Sequence, residues 1–89
     1  MYNIGIAPAA ERDLKKLNKK LPSLNDISNA IENLSLDARP IGVRKVKGFI
    51  NTYRIRVHSY RIIYDIYEKN NQVIILRILK RSGSTYKFR

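Results

Sequence analysis

The sequence contains no cysteine, which removes both a disulfide scaffold and a thiolate metal site, and it fits a reducing compartment. Histidine is almost as scarce. His58 is the only one, so a paired-histidine ribonuclease mechanism is impossible, and its place between two strand-like segments makes it a turn residue rather than a base. Carboxylates thin out along the chain. Beyond Asp37 only Asp65 and Glu68 remain, without the close acidic neighbours that a magnesium-dependent nuclease needs. Ser/His/Asp catalysis finds no support in spacing or flanking glycines. No stretch approaches the roughly 18–20 apolar residues of a membrane span. The opening Met1-Tyr2-Asn3-Ile4-Gly5-Ile6 lacks the basic start and apolar run of a signal peptide. The expectation is a cytoplasmic protein with no metal, no small-molecule cofactor and no membrane association.

What is present is positive charge, unevenly placed. The 89 residues, 44% of them hydrophobic, suffice for one core, so a single domain over residues 1–89 is expected. Up to Asp37 five bases and five acids cancel, whereas Ala38–Arg89 carries thirteen bases against two acids and therefore the whole net charge of +11. Lysines and arginines gain affinity by releasing counterions from a phosphate backbone, so this asymmetry points to a polyanionic partner. Solubility alone is the bland explanation. No basic helix with a broad apolar face speaks for a membrane surface.

The hydrophobic pattern changes period half-way. Tyr2–Ile6 reads as a short strand. Pro8 opens a helix running to about Asn18, with Ala10, Leu14 and Leu17 on one face and Arg12, Lys15 and Lys16 outside. Pro22-Ser23 restarts the chain, with Ser23 as N-cap and Asp26 in the first turn, and Leu24, Ile27, Ile31 and Leu34 form an apolar stripe. A link of roughly four residues predicts an antiparallel helix hairpin. Arg39-Pro40-Ile41-Gly42 closes that half. Strands then follow at Thr52–Val57, Tyr60–Tyr67 and Val73–Leu79, separated by His58-Ser59 and Asn70-Asn71. The fold class is α+β: an N-terminal strand and an antiparallel helix hairpin packed on one face of a mainly antiparallel four- to five-stranded sheet.

If His58-Ser59 is a two-residue turn, Val57 faces Tyr60, Ile55 faces Ile62 and Tyr53 faces Tyr64, all towards the helices. On the other face Arg56 lies opposite Arg61, and Arg54 opposite Ile63. Like charges opposed across a ladder are destabilising, so the cluster makes sense where an anion normally sits on it. Arginines splaying into water are the simpler alternative. Arg77, Lys80, Arg81 and Tyr86 extend the same character. A two-residue Asn70-Asn71 turn places Arg77 on the helix side, opposite Tyr64. Keeping charge out of the core favours instead an odd-length loop, with Ile74, Leu76 and Ile78 inward and Arg77 outward, because a one-residue slip inverts every side chain.

RNA carries its own nucleophile. When the 2′-hydroxyl attacks the adjacent phosphodiester, arginines on a rigid sheet orient the strand and stabilise the phosphorane. Proton transfer is harder, because the pKa of arginine exceeds 12 and that of tyrosine is about 10. Cationic neighbours favour the phenolate of Tyr86 and the neutral amine of Lys80, which makes these the groups a crowded basic patch would tune. A slow enzyme that depends on well-presented substrate is the expectation.

The strand–helix–helix–meander order, with Tyr53-Arg54-Ile55-Arg56-Val57 followed by Tyr60-Arg61-Ile62-Ile63-Tyr64, resembles RelE/ParE-superfamily toxins of toxin–antitoxin pairs. Lys47-Gly48 before the hairpin and Arg77-Ile78-Leu79-Lys80-Arg81 ahead of a near-terminal tyrosine add to the resemblance. It implies a RelE-like fold and a ribosome-dependent messenger RNA endonuclease. Arg54 and Arg56 take the places of the basic pair acting on RNA, Arg61 that of the scissile-phosphate ligand, and Arg81 that of the leaving-group partner. Tyr86 takes that of the tyrosine that stacks on a base or assists proton transfer. Arg44, Lys45, Lys47, Arg77 and Lys80 are the expected RNA-binding residues around them. A cognate acidic antitoxin, the ribosome and mRNA are the implied partners. Three features depart from the pattern: Lys80 stands where many members have histidine, Ser82-Gly83-Ser84-Thr85 alters the spacing to Tyr86, and arginine rather than lysine at 54 or 56 weakens any general-base role. Two other readings stay open. A ParE-like gyrase poison shares the fold without needing the arginine–tyrosine cluster. A non-catalytic nucleic-acid module is the other, although no helix carries the basic face that groove reading needs.

Overall fold

The structure, a computed structural model, describes residues 1–17 and 21–80. Strand β1 (Asn3–Ile6) leads into helix α1 (Pro8–Leu17) and then α2 (Leu21–Leu34). Next come a two-residue strand β2 (Arg44–Lys45), β3 (Thr52–Val57), β4 (Tyr60–Tyr67), a single 3-10 turn (Glu68–Asn70) and β5 (Gln72–Lys80). The strand order is β1-β5-β4-β3-β2, with β1 parallel to β5 and the other pairs antiparallel. Helix α2 begins two residues before the expected Ser23 cap, so Asp26 lies beyond the first turn.

Apolar spacing determines which faces meet. Ala10 and Leu17 from α1 and Ile27, Ile31 and Leu34 from α2 are buried against Ile55, Ile62, Tyr64, Ile66, Val73, Ile75 and Ile78 of the sheet. Tyr53, Val57 and Tyr60 pack on the margin of this core, as period-two alternation requires. The first hairpin has the expected register, Val57 opposite Tyr60, Ile55 opposite Ile62 and Tyr53 opposite Tyr64. His58 takes a positive φ of 55° to make the two-residue turn, and its Nε2 lies 2.5 Å from the Asp26 carboxylate of α2. Tyr64 is fully buried and donates its hydroxyl to the Ala38 carbonyl oxygen at 2.7 Å, which fastens the segment after α2 to the sheet. Burial pushes that phenol well above its ordinary range.

The second hairpin corrects the sequence-based register. Its loop spans residues 68–71, with Asn71 in the left-handed region (φ 54°), and Tyr67 pairs with Gln72. A β-bulge shifts the register between Ile63 and Tyr64, so Tyr64 faces Ile75 while Ile63 faces Arg77. Val73, Ile75 and Ile78 are therefore the inward residues; Ile74 and Leu76, expected inward, are not in the core. One extra residue keeps the apolar side chains inside on both sides of the irregularity, which strict alternation cannot do for this sequence.

Candidate nucleic-acid interface

The face of the sheet turned away from the core cluster carries two rows of side chains. One runs across three pairings, Arg44 opposite Arg54, Arg54 opposite Ile63 and Ile63 opposite Arg77; the next places Arg56 opposite Arg61 and Arg61 opposite Leu79. Ile63 is fully buried yet stands apart from the core cluster. Directly paired residues have Cβ atoms about 4.5–5.5 Å apart, so Arg56 and Arg61 stand side by side on this face. Beside this face, along β3, opens a cleft of about 480 Å³. It is lined by Arg44, Arg54, Arg56 and Arg61 together with Ala30, Asn33 and Leu34 of α2, Ile41, and Ile55 and Val57 of β3. The cleft thus brings apolar side chains together with four arginines.

The remaining expected RNA-binding residues divide. Arg44 shares the arginine face. Lys47 is exposed in the turn after β2. Lys45 pairs with Tyr53 on the helix side of the sheet, its Nζ 5.8 Å from the Tyr53 ring centre. Lys80 is exposed opposite Tyr60, also in register with the helix side. Arg77 lies in the outer row but spends its guanidinium on Asp13 of α1, with Nε 2.8 Å from Oδ2 and one terminal nitrogen 3.2 Å from Oδ1. That pairing raises the Arg77 pKa. Arg81 and Tyr86 lie outside the described residues.

Both late carboxylates are committed to neighbours. Asp65 accepts from Thr52 at 2.5 Å and from Tyr67 at 2.8 Å, and the carboxylate raises the Tyr67 pKa. Glu68 accepts from Arg39 at 2.7 Å and from Tyr2 at 2.9 Å, and the Arg39 bond holds its carboxyl below the usual range. Arg39 also lies over the Tyr53 ring, 5.1 Å from its centre. These bonds join the N-terminus, the segment after α2 and the second hairpin at the sheet end remote from His58. Among the described residues no group of three or more His, Asp or Glu side chains is placed to hold a metal ion.

Residues 4–84 match the family model described as the ParE toxin of the type II toxin–antitoxin system parDE. The chain belongs to this family. Over 61 residues, 68% of its length, this RelE/ParE-superfamily chain is 38% identical to toxin RelE3 of Methanocaldococcus jannaschii, and the match spans 60% of that relative. Its fold is similar to the toxin–antitoxin complex RelBE2 of Mycobacterium tuberculosis (TM-score 0.75, 26% identity, 90% of this chain and 98% of that one). It is also similar to the archaeal RelE–RelB complex of Pyrococcus horikoshii (TM-score 0.80, 23% identity, 93% and 98%). The two helices on a five-stranded mixed sheet are the RelE-like arrangement.

Two features escaped the sequence. Asp13 is 8% exposed and faces β5; the available sign was an acid at helical spacing between Ala10 and Leu17 on the apolar side of α1. Strand β2, which brings Arg44 beside Arg54, is only two residues long and has no periodicity to detect.

Proposed function

We propose that this toxin-family chain is a ribosome-dependent endoribonuclease that cuts messenger RNA through the RNA's own 2′-hydroxyl. The observation that carries this reading is the set Arg54, Arg56 and Arg61, on one sheet face and lining one cleft. A rigid cationic face suits phosphoryl chemistry of this kind: the strand is held in line for 2′-oxygen attack, and charge gathering on the phosphorane meets preorganised guanidiniums. Arg61, opposed to Arg56, is the ligand of the scissile phosphate. Arg81 and Tyr86 take the leaving-group and stacking or proton-transfer roles that the resemblance implies. The reading is metal-free, since the two carboxylates after Asp37 are already engaged by neighbouring side chains. The protein works in the cytoplasm, where the ribosome presents the message, and an acidic antitoxin neutralises the basic half.

The family match also supports a second reading, a ParE-like chain that poisons DNA gyrase without cutting RNA. Primer extension on a reporter message in a cell-free translation reaction separates the two. Cuts that need ribosomes and vanish with Arg61→Ala fit the nuclease. An intact message together with gyrase-linked DNA breaks would refute it.

A further inference from the structure

Strand β1 ends at Ile6, and the last rung on that side of the sheet is the Ala7 amide donating to the Ile75 carbonyl oxygen at 2.9 Å. Among the described residues the outer edge of β5 therefore has no strand partner beyond Ile75. Helix α1 returns over this edge and sets Asp13 against it. Oδ2 of Asp13 accepts from the Ile78 backbone N–H and from Arg77 Nε, both at 2.8 Å, and Oδ1 accepts from Arg77 at 3.2 Å. One buried carboxylate thus replaces a missing rung of the ladder, immediately after the bulge. A bulge disrupts local pairing, and past this point β5 is held by its ladder with β4 on one edge and by Asp13 on the other.

We infer that Asp13 is a positioning residue for the cutting reaction: by holding Ile78 and Arg77 it fixes where β5 sets Leu79 beside Arg61 of the arginine face. The inference rests on the nuclease reading. Its geometry is concrete, since Leu79 pairs with Arg61 and follows directly on the anchored Ile78. Displacements of about 1 Å in positioning groups cost on the order of 100-fold in rate.

The test compares wild type, Asp13→Asn and Asp13→Ala in two measurements. Amide hydrogen exchange reads the anchor without any activity: Asp13→Ala should speed exchange at Ile78 while leaving Ile62 and Tyr64 protected. Cleavage on programmed ribosomes, below the melting temperature of every variant, should show kcat down about 100-fold with KM little changed. Asp13→Asn retains an acceptor for the Ile78 amide and should recover part of the rate; it carries the test if the alanine variant does not fold. Unchanged Ile78 exchange, or faster exchange with unchanged kcat, would overturn the positioning role. A wild type inert on ribosomes would refute the nuclease reading itself, and the exchange data tell that failure apart from a failed anchor.

Discussion

The two hairpins of this sheet share a central strand and obey different rules. Between β3 and β4 a two-residue turn fixes a register that holds along all six paired positions, so each side chain's face follows from its parity. Between β4 and β5 a longer loop and a bulge divide the ladder into two registers, and parity fails half-way along. The first hairpin presents Arg54, Arg56 and Arg61 on a regular surface. The second is interrupted by a bulge, and a helix carboxylate bonds to its far end. A regular ladder places chemistry by alternation alone, whereas an irregular one depends on contacts from other elements.

The sharpest way to break this contrast is at its functional end. Arg61→Ala should lower kcat for message cleavage by about 100- to 1,000-fold, the scale of losing one preorganised donor to a developing oxyanion, with thermal stability nearly unchanged. A variant still cutting at the wild-type rate would show that the regular face does not hold the phosphate. Ile62→Ala, on the opposite face of the same strand, should do the reverse and cost about 2–5 kcal/mol in urea unfolding, because Ile62 is fully buried. At the bulge, Tyr64→Phe should cost about 1–3 kcal/mol by leaving the Ala38 carbonyl without its donor. Equal stability of that variant would mean that the tie to the segment after α2 adds nothing.

The smallest effect is expected at the 3-10 turn of the second hairpin. Glu68 is held below the ordinary carboxyl range chiefly by its bond from Arg39, so its contribution is present above the unfolded pKa and is lost as pH falls through the lower folded value. Glu68→Gln should lower Tm slightly at neutral pH, and the difference should close on acidification below about pH 4. A gap that widens in acid would contradict the ion pair.

The same contrast explains how much could be read in advance. The helix stripe Ile27, Ile31 and Leu34 and the alternation through Tyr53, Ile55, Ile62 and Tyr64 were legible, because burial acts on each side chain according to its local period. The pairing of Arg56 with Arg61 followed from the same parity. Arg77 was correctly assigned to the outer row, but its capture by Asp13 was not visible, since 64 residues separate the partners. Lys45 and Lys80 were grouped with the arginines by charge. Register places them in line with the helix side, and charge composition has no parity. The bulge at Leu76 was invisible for a related reason: an extra residue in a run as apolar as Val73–Ile75 leaves no break in the pattern.

The parallel pairing of β1 with β5 has a consequence in time. Synthesis runs in the N-terminal to C-terminal direction, and the partner of Asn3–Ile6 is Gln72–Ile75, far later in the sequence. Contacts so distant in sequence form last and slowly. Until that segment has been synthesised, β1 has no edge to join and α1 has no strand on which to set Asp13. The nascent chain therefore carries Arg44, Arg54, Arg56 and Arg61 before it has β5, the strand that completes the sheet beside them.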